Sequence, residues 1–130
     1  MLRREAAFTL IELIMVIVIL GILAAIAIPK FFNLDTDAKK AAEKGVVGGV
    51  RAGIATFFAK QKASSTPPDF PASLDGTYTG ACTAAKACFN AVLQLEGITD
   101  SSWNKTGANT YTGPEGTTTY TYTSSTGEFK

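Results

Sequence analysis

FTLIELIMVIVILGILAAIAI runs from Phe8 to Ile28 with one ionisable residue in it, Glu12. As a helix with ~1.5 Å rise per residue, this length spans ~30 Å, the hydrocarbon thickness of a bilayer. Fourteen of its 21 residues are Leu, Ile, Val or Phe. On an insertion scale these contribute about −6 kcal/mol, against about +3 at most for one acidic side chain. The segment therefore favours a membrane even with Glu12 inside it. An ionisable group in such a place marks function and needs a partner. No Lys, Arg or His lies between Phe8 and Ile28, so the partner is expected from outside: a neighbouring chain, or a free amino terminus created nearby. Either source points to self-assembly.

Two plainer readings compete. In the first, Arg3 and Arg4 form the basic start of a secretory signal peptide and Ala25-Ile26-Ala27 is its cleavage site, which would release a soluble binding module. Glu12 and the length of the apolar run oppose this. The second is a plain single-pass anchor, which explains the length but not Glu12.

The rest of the composition narrows the function. The chain has 130 residues, enough for one domain, and a net charge of +1 with no basic stripe, so no nucleic-acid partner is expected. It has no His, its carboxylates are scattered, and no Ser or Cys stands beside an evident base. An enzyme is disfavoured, and neither cofactor nor metal is expected.

Pro29 closes the apolar run and Gly21 interrupts it. Pro removes a helix hydrogen bond and Gly lowers helix propensity, so Gly21 to Pro29 is the expected weak stretch of the helix. Periodicity then resumes. Phe31, Leu34, Ala38, Ala42, Val46, Val50, Ile54 and Phe57 follow steps of three and four, one apolar face of an amphipathic helix, with Asp35, Asp37, Lys39, Lys40, Glu43, Lys44 and Arg51 elsewhere around it. Gly45, Gly49 and Gly53 recur beside this face. Such a row admits close approach by another backbone, either the chain's own sheet or a neighbouring helix. The cluster Ser64, Ser65, Thr66, Pro67 and Pro68 places the helix end near Ala63.

The remainder is polar. Cys82 and Cys88 bracket CTAAKAC. On an unbroken helix six residues span ~9 Å, beyond the ~7 Å limit of a disulfide, so either this segment is a bent loop or the thiols stay free. CFNAVLQLEGI is compatible with a helical turn or two, or with a short strand. NTYTGPEGTTTYTYTSSTGEF reads as β, with Tyr120 and Tyr122 on one face and Gly113 to Gly116 as a turn. Asp100, Ser102, Asn104 and Thr106 alternate in the way oxygen ligands of a calcium loop do, but without a bidentate Glu in place. Asn104-Lys105-Thr106 is a glycosylation triplet. The Phe residues at 8, 31, 32, 57 and 58 are best explained as assembly and domain core.

AFTLIELIMVIVILGILAAIAIPKFFNL resembles the N-terminus of type IV pilins and of the pseudopilins of type II secretion. The likeness covers about a fifth of the chain, Phe8 to Leu34, and is highly specific. PKFFNL followed by DTDA resembles the mannose-sensitive haemagglutinin-type pilins in particular. The resemblance implies that a membrane prepilin peptidase cuts between Ala7 and Phe8 and methylates the new amine. It implies that Glu12 pairs with the Phe8 ammonium of an adjacent subunit. The family nearly always carries Gly before the cut, where this chain has Ala7, a less permissive residue. The resemblance also implies that the helix from Gly21 to Pro29 yields on packing, and that the polar half is exported. Export favours a Cys82–Cys88 disulfide. The Lys residues at 30, 39, 40 and 44 outnumber Arg3 and Arg4, so a positive-inside count points the opposite way to the cytoplasmic leader that the resemblance implies.

The expected architecture is α+β. A leader over residues 1–7 precedes an apolar helix segment over 8–29 and an amphipathic segment over 30–63. These pack on a small antiparallel β-rich head over 64–130. The expected function is that of a structural subunit of a type IV pilus-like filament, built from a membrane-anchored precursor. Its partners are copies of itself, the prepilin peptidase, the assembly machinery and, before assembly, the bacterial inner membrane; the filament then lies outside the cell. A pseudopilin of type II secretion, confined to the periplasm, is the nearest alternative.

Overall fold

The computed structural model describes residues 7–64, 69–94 and 96–130. The leader residues before Ala7, with Arg3 and Arg4, and Ser65, Thr66, Pro67 and Pro68 of the helix-stop cluster lie outside the described residues. A single helix, α1 (Leu10–Ala63), is followed by five strands: β1 (Gly80–Cys88), β2 (Ile98–Gly107), β3 (Thr110–Thr112), β4 (Thr119–Thr123) and β5 (Glu128–Phe129). The fold is α+β, as expected.

Helix α1 is 54 residues long and unbroken through Gly21 and Pro29. In the single chain the stretch between them has not unwound. Pro removes one donor, and the helix on either side is long enough to propagate across the gap. Ala63 is the last residue of the helix, where the sequence placed its end.

The chain forms two compact units that divide between Asp37 and Ala38. In the first, helical side chains project into solvent. In the second, the rest of α1 packs on the sheet. The inward face of that part of the helix is Glu43, Val47, Val50 and Ile54. This face is displaced slightly from the stripe read in the sequence: Val46 is half-buried and Ala42 exposed. Glu43, placed by periodicity among the outward residues, is only 2% exposed.

The strands run β1-β2-β3-β4-β5, each antiparallel to the next, a simple meander. In register, Lys105 faces Tyr111, Tyr111 faces Tyr120, and Tyr122 faces Phe129. Period-two alternation turns Trp103, Lys105, Tyr111, Tyr122 and Phe129 inward. These join Val47, Val50, Ile54, Leu74, Cys82, Cys88 and Phe89 in one core. The Phe89 ring is its hub, touching Trp103, Tyr111 and Phe129 at centroid distances of 5.3, 4.5 and 5.6 Å. Tyr120 and Tyr122 share a face as read from the Thr-Tyr alternation.

Two segments differ from their sequence reading. CTAAKAC is part of β1, a bulged strand rather than a loop. Between Thr83 and Cys88 the partner strand advances only from Asp100 to Ile98, so β1 carries extra residues there. The alternating Asp100, Ser102, Asn104 and Thr106 belong to β2 and show the alternation of a strand, with Trp103 and Lys105 buried between them. Within CFNAVLQLEGI, the described residues 89–94, 96 and 97 form turns between Cys88 and Ile98; Val92 and Leu93 N–H both donate to the Phe89 carbonyl, at 3.1 and 2.9 Å.

Candidate functional site

At the helix tip, Ala7, Phe8 and Thr9 precede α1 and are exposed, Phe8 at 82%. The Ala7–Phe8 bond thus lies in non-helical, accessible chain. Thr9 caps the helix. Its Oγ1 accepts the Glu12 N–H at 3.3 Å, and a Glu12 carboxylate oxygen accepts from the Thr9 N–H at 3.4 Å and from the Thr9 hydroxyl at 3.3 Å. Thr9-Leu10-Ile11-Glu12 is therefore a capping box, which satisfies two of the helix's orphan donors reciprocally. Sequence reasoning looked only for a cationic partner and missed this neutral one three residues away. A capped carboxylate at a helix N-terminus is also favoured by the helix dipole.

From Leu10 to Leu34 the large apolar side chains are exposed, Ile11 at 62%, Leu20 at 58% and Phe32 at 72% among them. The helix contains a stretch long and apolar enough to cross a membrane. Soluble proteins rarely leave apolar surface of this extent open, so it is made to be covered by lipid or by another chain.

In the head, Cys82 and Cys88 are bonded with their Cα atoms 5.3 Å apart. An extended strand would separate them by ~20 Å, so the bulged part of β1 folds back on itself. Of the glycine row, Gly53 and Gly49 approach the turn segment after Phe89. A methyl on Gly53 would lie 2.2 Å from the Val92 carbonyl oxygen, and one on Gly49 would lie 3.5 Å from Leu93, whereas Gly45 faces open space. The backbone admitted at Gly53 is neither sheet nor neighbouring helix but this turn.

Two polar clusters in the head were not legible in the sequence. Glu43 accepts from the Tyr120 hydroxyl at 2.7 Å and from the Glu115 N–H at 3.2 Å, pinning α1 to the sheet and to the Gly113–Gly116 turn. Arg51 Nε adds a bond to the Phe129 carbonyl at 2.9 Å. Burial, and then the bond to Glu43, push the Tyr120 phenol up to about 12. In the second cluster, Asp75 and Lys105 form a buried ion pair. The Tyr111 hydroxyl donates to Asp75 at 3.0 Å, the Phe89 N–H donates to it at 3.3 Å, and the Lys105 ammonium donates to the Gly76 carbonyl at 2.7 Å. Burial, with the Asp75 charge, raises both Tyr111 and Tyr78 above the ordinary phenol value. A lone Lys and a lone Asp thirty residues apart carry no signal of this pairing; only Lys105 at an inward strand position hints at it. Asp100 is held below the usual carboxylate range by bonds from the Ser102 hydroxyl and N–H.

Residues 2–28 match the prokaryotic N-terminal methylation motif. Over 99 residues the chain is 37% identical to the type IV narrow pilus major component of Thermus thermophilus, covering 66% of this chain and 85% of that protein. The chain belongs to the type IV pilin family. It is also 40% identical over 52 residues to the type II secretion system core protein G of Pseudomonas aeruginosa, covering 40% of this pilin and 37% of that protein. A third relative, a fimbrial protein of Eikenella corrodens, is 28% identical over 92 residues, or 68% of this chain and 60% of its own. No solved structure matches the chain significantly. The pilin's methylation motif contains Ala7, Phe8, Thr9 and Glu12, the residues that shape the helix tip. Its likeness to the Thermus protein extends well beyond the motif into the head.

Proposed function

We propose that this pilin is the structural subunit of a type IV pilus-like surface filament. The observation that carries the reading is the apolar, uncovered run of α1 in a chain whose family builds filaments. The precursor sits in the bacterial inner membrane by this run. Cleavage between Ala7 and Phe8 by the prepilin peptidase frees the Phe8 amine, which is then methylated. On assembly the helix leaves lipid for a bundle of identical helices, and little apolar surface meets water at any stage.

Glu12 supplies register. Its carboxylate, held at the helix tip by Thr9, meets the Phe8 ammonium of the adjacent subunit. Removing one member of a buried charge pair costs about 3–5 kcal/mol, because the other charge is left uncompensated. A helix docked one step out of place pays that penalty. Gly21 and Pro29 mark where the helix yields as subunits pack, and the polar heads coat the fibre. Likeness to core protein G supports a second reading, a pseudopilin in a periplasmic fibre.

The test is the intact mass and N-terminal sequence of the protein from its fibre or membrane fraction, together with Glu12→Ala. The expected protein starts at methylated Phe8, and the variant is exported but yields few or misregistered filaments. Wild-type filament yield from Glu12→Ala would sink the pairing. A start at Ile28 would mean a secreted module. Loss of enzyme export on deletion, with no external fibre, would select the pseudopilin.

A further inference from the structure

The Asp75–Lys105 pair is more than a buried salt bridge. The two side chains are 0% and 1% exposed, and Lys105 Nζ is in direct contact with Asp75 Oδ1. Aromatic rings wall the pair, with Nζ 5.2 Å from the Tyr78 centroid and 5.6 Å from that of Tyr111. Each remaining polar atom has a separate partner. Asp75 Oδ1 accepts from the Tyr111 hydroxyl at 3.0 Å, Oδ2 from the Phe89 N–H at 3.3 Å, and the Gly76 carbonyl accepts from Nζ at 2.7 Å. No bulk water competes for either group, and sustaining two charges there is costly. Moving one proton from the ammonium to the carboxylate leaves a neutral amine against a neutral acid, the pair that condenses to an amide.

We propose that Asp75 and Lys105 join as an intramolecular isopeptide bond. The proton leaves Nζ for Asp75 Oδ1. The Nζ lone pair then adds to Cγ, forming the C–N bond, and negative charge gathers on Oδ2, where the Phe89 N–H stabilises it. A second proton passes from nitrogen to the adjoining Oδ1 hydroxyl, an oxygen held in place by the bond it accepts from the Tyr111 hydroxyl. The Cγ–Oδ1 bond breaks, water departs, and the amide retains the third proton on nitrogen. Nothing is oxidised or reduced, and water is the only by-product. In the product, Oδ2 keeps the Phe89 N–H and the amide N–H keeps the Gly76 carbonyl, while the Tyr111 hydroxyl gives up the Oδ1 acceptor that departs as water. The bond ties the segment before β1 to β2 across the head. With Cys82–Cys88 it gives an exported subunit a second covalent brace, one that reductants do not open.

Intact-mass measurement of the full chain after disulfide reduction, followed by tandem mass spectrometry of its peptides, tests this. The expected mass is short by one water, and the peptide bearing Asp75 is covalently linked to the peptide bearing Lys105, which proteases that cut after Lys no longer cleave. Lys105→Arg loses the deficit and the link; Tyr111→Phe lowers the linked fraction. A mass equal to that of the unmodified chain overturns the proposal. So does a water loss confined to a linear peptide, which would be a succinimide at Asp75-Gly76. The wild-type mass alone is decisive, so the test survives variants that do not fold.

Discussion

At the residue scale, the head is organised by polar side chains that periodicity assigns to the outside. Glu43 takes a core position because the Tyr120 hydroxyl and the Glu115 N–H supply its bonds. Buried polar groups are tolerated when paired, and among the described residues every buried side-chain nitrogen and oxygen has a partner. All four tyrosines are pushed above the ordinary phenol value, Tyr120 to about 12, with burial the leading cause at each. The sign of the pH effect follows. A phenol whose folded value lies above its unfolded value of 10.0 contributes stability that is fully present below pH 10 and lost as pH climbs through about 12. The head is therefore expected to unfold in alkali with tyrosinate appearing in the same transition. Parallel absorbance and circular-dichroism titrations check this. Tyrosines ionising near pH 10 in a still-folded head would contradict it.

At the scale of elements, helix α1 holds two kinds of glycine. Gly53 lies against the Val92 carbonyl, where an added methyl would sit at 2.2 Å, while Gly45 has nothing near it. Overpacking costs about 1–3 kcal/mol, whereas replacing an exposed helical Gly with Ala gains up to about 1 kcal/mol. Gly53→Ala is expected to lower the head's stability and Gly45→Ala to raise it, as read by urea denaturation. Equal effects would mean that the turn after Phe89 does not press on the helix. The sequence showed the row and its function of close approach, but not which members carry it. That depends on Cys88 and Phe89 steering the following turn onto one side of α1. Phe89 adopts a positive φ of 61° to do so, an uncommon conformation for a bulky residue, sustained by its ring at the centre of the core. The helix end, the Thr-Tyr strands and the N-terminal family motif were legible because each rests on local pattern. Strands β1 and β2 were not, because bulges and turn residues disguise their alternation.

At the scale of the molecule, the two units answer to different surroundings. The part from Ala38 onward has its own core, disulfide and sheet. The part before it has apolar side chains with nothing over them. A fragment comprising residues 38–130 is therefore expected to stay folded and monomeric without detergent, with the far- and near-ultraviolet signals of the intact head. Sedimentation and circular dichroism check this, and an aggregated or unfolded fragment would show that the head depends on the membrane-grade segment.

What the sequence alone determined is what local chemistry encodes. A run of branched apolar residues dictates a helix that must be covered, Glu12 at its mouth demands a partner, and residues 2–28 carry the N-terminal methylation motif. These are one-dimensional facts, because helix propensity, hydropathy and a motif all read contiguous residues. Only the tertiary structure decided that Glu43 is inside, that the turn after Phe89 seats on Gly53, and that Asp75 meets Lys105. Each of these depends on which groups approach once the meander closes on the helix. A buried charge is stable or ruinous according to neighbours that the chain brings from far away in sequence.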